Sequence, residues 1–137
     1  MNREIKFRGV NNFGEWIYGS LVMTENIRPA IYFEAGNGTV KEVDWQYVKE
    51  ESIGQFTGLF DKNGKEIYDG DIVKWGHARE WSRENPIRIA EVKINPDIQF
   101  HSQVGVFKFG NFAYADSIDK DLEVIGNIFE NIELLTN

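Results

Sequence analysis

The chain has no cysteine, only two histidines and three prolines, and no long apolar run. Without cysteine there is neither a disulfide framework nor a thiolate metal site, and a reducing compartment suits such a chain. His77 and His101 form no spaced ligand pair, so nothing marks a zinc site. No stretch approaches the roughly 18 apolar residues of a membrane span. The segment Met1 to Val10 carries charges where a signal peptide needs an apolar core. A soluble, cytoplasmic protein is the expectation. Basic charge is short as well: 15 Lys and Arg stand against 22 Asp and Glu, a net charge of −7. Such a chain repels phosphate backbones overall, which argues against nucleic acid as a partner.

What the chain does have is aromatic. Ten Phe, five Tyr and four Trp among 137 residues can fill one small core, or the shared core of two small β units. Ile5 and Phe7 alternate with Glu4, Lys6 and Arg8, the period of a half-buried strand. Asn11 to Gly14 is a turn by composition, and Glu15 to Met23 reads as the returning strand of a hairpin. Gly19 inside that strand marks a bulge or a close approach of backbone. Thr24 to Pro29 reads as loop. A second hairpin is expected from Ala30 to Glu34 and Thr39 to Val43 around Ala35 to Gly38. Asp44 to Glu51 fits two readings: a helical turn capped by Asp44, with Trp45 and Val48 at helical spacing, or a strand.

Ile53 to Val73 is the most sharply marked stretch. Gln55 to Phe60 is a strand, Asp61 to Lys65 a tight turn with Asn63 and Gly64 suited to positive φ, and Ile67-Tyr68 the return. Asp69-Gly70-Asp71 turns again into a strand from Ile72 to Trp75. Phe56, Leu59, Ile67, Tyr68, Ile72 and Val73 are the expected core. His77 to Pro86 reads as a long polar loop. Further strands are expected over Ile87 to Ile94, Gln103 to Phe109, Phe112 to Ala115 and Leu122 to Phe129. Asn95 to Asp97 is read as a turn, and Gly110-Asn111 as a two-residue hairpin loop with Phe109 facing Phe112 and Phe107 facing Tyr114. The chain ends in a short helical turn or packed tail over Glu130 to Leu135. Many short strands with frequent turns predict an all-β barrel or sandwich.

Three blocks carry a resemblance to a known family. The first is Lys6-Phe7-Arg8 with Trp16-Ile17-Tyr18-Gly19. The second runs from Gly54 to Leu59, through Asp61 to Tyr68, to Gly70-Asp71-Ile72-Val73. The third is Val124 to Ile128 with Glu130-Asn131 and Glu133-Leu134-Leu135. In this order they resemble the YopX-like proteins of phages and prophages. Val10 and Ile132 depart from that pattern, where an aromatic and a proline are usual. The resemblance implies a mostly β chain with an SH3-like barrel over residues 53–137, preceded by an N-terminal β-hairpin region over residues 1–52. It implies no activity and supplies no catalytic residues.

No chemistry-bearing motif emerges from the residues themselves. Asp61 to Glu66 fails as a calcium loop, because Lys65 stands where the fifth ligand belongs and Glu66 where glycine does. Asp69, Asp71 and Glu66 form an acidic cluster without histidine, better suited to holding backbone amides than to acid–base work. No serine lies in a G-x-S-x-G elbow. Phe107-Lys108-Phe109 lacks the basic footprint of a nucleic-acid sheet. Neither catalytic residue, cofactor nor metal is therefore expected. The expected function is protein binding, self-association included, with a recognition loop around Arg79, Trp81, Arg83 and Arg88, since loops on rigid scaffolds commonly carry function. A nucleic-acid-binding module on the SH3-like barrel is the alternative.

Overall fold

The computed structural model describes residues 4–36, 38–39, 41–76, 87–109 and 122–135. The chain divides into two compact units, Met1–Phe56 and Thr57–Asn137, whereas the sequence places the break before Ile53.

In the first unit, β1 (Phe7–Val10) and β2 (Trp16–Thr24) form the expected hairpin, with Val10 opposite Trp16 and Phe7 opposite Gly19. The Asn11 side chain builds its turn, its Oδ1 accepting the amides of Phe13 and Glu15 at 2.9 Å each. From Ser20 onward β2 pairs instead with β3 (Ile27–Ala35), Ser20 standing opposite Tyr32. Gly19 is the pivot between the two partners. A Cβ there would run into the Tyr32 carbonyl oxygen, so the close approach expected of this glycine is real.

β3 starts inside the segment read as loop, because Glu25-Asn26 suffice to turn the chain. β4 (Glu42–Tyr47) follows, pairing along its whole length with β3. Over Asp44 to Glu51 the strand reading holds through Tyr47 and the helical turn capped by Asp44 does not form; a 3-10 turn lies further on, at Glu50–Ser52, with no side-chain cap. That turn is strapped to β1: the Val10 amide donates to Ser52 Oγ and the Val10 carbonyl accepts from the Lys49 amide, both at 2.8 Å. The strand order is β4-β3-β2-β1, with Gly54 and Gln55 at the start of β5 (Gly54–Phe60) beside β1. Val10, Ala30, Ile31, Val48 and Phe56 are buried, and Gly9 lies so near Val48 that no side chain fits between them.

In the second unit, the rest of β5 neighbours β6 (Glu66–Tyr68) across the Asp61 turn. A five-stranded antiparallel sheet follows, made of β7 (Asp71–Trp75), β8 (Arg88–Ile94), β9 (Ile98–Ser102), β10 (Gly105–Lys108) and β11 (Glu123–Asn127). Its order is β10-β9-β8-β7-β11. β9 was not anticipated, and the strand expected from Gln103 begins at Gly105, since Gln103-Val104 turn the chain between β9 and β10. The core gathers Ile67, Val73, Trp75, Ala90, Val92, Ile98, Phe100 and Leu122, with Leu59 packed against it. Trp75 anchors it through Phe100 and Phe107, with ring centroids 5.7 and 5.4 Å away. Ile132–Leu135 is a 3-10 turn at the C-terminal end.

The expected mostly β architecture is present: among the described residues there are antiparallel sheets and no α-helix. The SH3-like barrel is not seen in that form. A barrel closes its strands into a ring, whereas β10 and β11 each have a single strand neighbour among the described residues. The expected loop His77 to Pro86 and the hairpin contacts of Phe112 and Tyr114 around Gly110-Asn111 lie outside those residues.

Candidate functional site

The acidic side chains Asp61 and Asp71 are occupied in building turns. Asp61 Oδ1 accepts the Asn63 and Lys65 amides at 2.9 Å each, and Oδ2 accepts the Val124 amide at 3.0 Å. Burial pushes this carboxyl up, but the amides of Val124, Lys65 and Asn63, with the Lys65 charge, outweigh it and hold it below its ordinary value. Asp71, buried, accepts the Tyr68 amide on Oδ2 at 2.8 Å and so closes the Asp69-Gly70 turn. Tyr68 donates its hydroxyl to Glu66 at 2.9 Å. Among the described residues no three His, Asp or Glu side chains are grouped as a metal site would need.

Of the expected recognition residues, Arg79, Trp81 and Arg83 lie outside the described residues. Arg88 opens β8 opposite Trp75 and lines a depression of about 190 Å³ with Ile87, Gln103 and Leu135.

The surface that draws attention is on the first unit, where the register of β2, β3 and β4 sets side chains on one face. Trp45 stands opposite Tyr32, Tyr47 opposite Ala30, and Val43 opposite Glu34. The alternation of strands puts Val43, Trp45 and Tyr47 on the same side. Tyr32 and Trp45 are stacked with centroids 6.1 Å apart, and Trp45 meets Tyr47 edge-on at 5.0 Å. The Arg28 guanidinium lies over the Tyr47 ring at 4.4 Å. These side chains are not covered: Val43 is 71% exposed, Trp45 44% and Tyr47 38%. Tyr18, Tyr32, Glu34 and Val43 also line a depression of about 300 Å³ beside the ladder.

An aromatic row of this kind, ordered by stacking yet open to solvent, stands out, since most exposed apolar groups on a monomer are scattered singly. The sequence held its signal in the alternation Val43-Trp45-Tyr47, masked by the helical spacing of Trp45 and Val48. Residues 6–136 match the family described as YopX protein. The chain belongs to the YopX family. Its fold is similar to the crystal structure of protein EF1440 from Enterococcus faecalis. That match has a TM-score of 0.54 and 24% identity, and covers 98% of this chain and 99% of that one. At this identity the likeness speaks for the fold alone. No curated protein matches the chain.

Proposed function

We propose that this YopX-family chain is a non-catalytic accessory protein of a phage or prophage, acting in the cytoplasm of a bacterial host by binding protein, itself included. The observation that carries the reading is the stacked row of half-buried Tyr32 and exposed Trp45 and Tyr47, with Arg28 over its end. Exposed Tyr and Trp offer large contact area at small entropic cost, and Arg beside them is the usual companion at binding hot spots. The buried acids argue the same way, because Asp61 and Asp71 hold backbone amides and are not turned toward a substrate. The proposal also reads the second unit as an SH3-like barrel, supported by its five short strands around one aromatic core, and extends the recognition surface to the Arg79 to Arg88 segment.

The second reading is a nucleic-acid-binding module, favoured by the same aromatics, on which bases could stack. The net charge of −7 weighs against it. Capture from host lysate on the wild type and on a Trp45→Ala/Tyr47→Ala variant tests the two together. Protein captured by the first and lost by the second supports the proposal. Capture unaffected by the substitutions, or nuclease-sensitive capture only, contradicts it.

A further inference from the structure

Among the described residues β4 is the outermost strand of its sheet, with no strand beside its outer edge, and that edge has a definite polarity. The Val48 amide donates to the Pro29 carbonyl at 3.0 Å, inward toward β3. Successive amides of a strand point to opposite sides, so Asp44 and Gln46 also face β3, while Val43, Trp45 and Tyr47 present N–H and C=O outward. Trp45 confirms this directly, because its amide is held not by a strand but by the Asp44 carboxylate at 2.8 Å. Each outward residue also carries one of the exposed apolar side chains. Backbone edge and aromatic row are therefore one feature.

We infer that the occupant of this edge is a second copy of the chain, paired antiparallel to β4 about a two-fold axis at Trp45. This rests on the reading of the aromatic row as a protein-binding surface and names its partner. In that register Trp45 meets Trp45 of the partner subunit and Val43 meets the partner's Tyr47. Each of the three outward pairs exchanges two backbone bonds, about six in all. Charge and backbone bonding together select this register. Asp44 falls opposite the neutral Gln46, and Lys41 and Lys49 meet beyond the ends of β4. Centring the axis on Asp44 would set Asp44 against itself within the ladder, a like-charge pair that destabilises it. Centring it on Gln46 would ask Val43 to pair with Lys49, whose amide is already given to the Val10 carbonyl at 2.8 Å. The isologous contact would also join two aromatic rows into one continuous face.

Asp44 is the gatekeeper of this edge. Its carboxylate occupies the Trp45 amide in the free chain, and pairing must displace it. Asp44→Ala removes that competitor and tightens the dimer by roughly tenfold, one bond being released on each side. Val43→Pro removes an outward N–H that β3 does not use and gives a folded monomer. Sedimentation equilibrium of the wild type and both variants reads these shifts, with circular dichroism confirming folding. Hydrogen exchange supplies the second readout. With rising concentration the amides of Val43, Trp45 and Tyr47 gain protection, while those of Asp44 and Gln46 do not change. A strict monomer in wild type and Asp44→Ala, or a dimer in which those three amides stay unprotected, overturns the pairing. Monomers that still capture lysate protein through Trp45 overturn the pairing alone. Monomers that capture none overturn the underlying reading as well.

Discussion

Two turns, one in each unit, use the same construction with a different first residue, and the difference has a chemical cause. In Asn11 to Glu15 and in Asp61 to Lys65 the first side chain accepts the amides two and four residues on. The first amide donates to the fifth carbonyl, and a glycine with φ near +80° stands fourth. Asn11 needs a donor on its second atom, since Nδ2 reaches Glu15 at 3.2 Å and Gln46 at 2.6 Å. Asp61 needs a second acceptor, since Oδ2 takes the Val124 amide. Asp61→Asn should therefore turn an N–H toward an N–H and cost about 1–3 kcal/mol in urea unfolding. The pH dependence has a defined sign. A carboxyl held below its ordinary value of 3.8 stabilises the fold above that pH, and the contribution is lost as pH falls through the lower, folded-state value. Acid unfolding of Asp61→Asn should be less steep in that window than that of the wild type. Gly70 is the other residue with a sharp expectation. Its φ is +93°, so Gly70→Val should destabilise by about 1–3 kcal/mol, read by the same unfolding experiment.

At the scale of elements, β2 is organised by its pivot. It pairs with β1 up to Gly19 and with β3 from Ser20, and the Tyr32 carbonyl leaves no room for a side chain at the change. Gly19→Ala should cost about 1–3 kcal/mol through overpacking against backbone, again by urea unfolding, and Gly14→Ala in open space should owe its smaller cost to φ alone. Elements marked by local chemistry were legible in advance: the Asn11 and Asp61 turns, the Gly70 turn, and the core of Ile67, Tyr68, Ile72 and Val73 all follow from residue types that admit few alternatives. β4 was half legible, because Val43-Trp45-Tyr47 alternates while Trp45 and Val48 also suit a helical turn. Only pairing with β3, a long-range event, decides between them. β9 was missed for a similar reason. Ile98 and Phe100 alternate over too short a span to stand out until β8 and β10 flank them.

At the scale of the molecule, the acidic balance sets an expectation for nucleic acid. With a net charge of −7 and no basic footprint among the aromatic row beyond Arg28, single-stranded DNA and RNA should show no binding at about 150 mM salt in a fluorescence titration. The candidate site was not legible in this form. The expectation that loops carry function pointed to Arg79, Trp81, Arg83 and Arg88, whereas the surface that the fold assembles comes from three strands separated in sequence, Tyr18, Tyr32 and Trp45 among them. Register alone brings them to one face. The most direct measurement is a photo-crosslinking aromatic residue placed at Tyr47, irradiated in living host cells. A covalent adduct to protein, whether a second copy or another chain, is the predicted result. Adducts to nucleic acid, or none at all, would contradict the account.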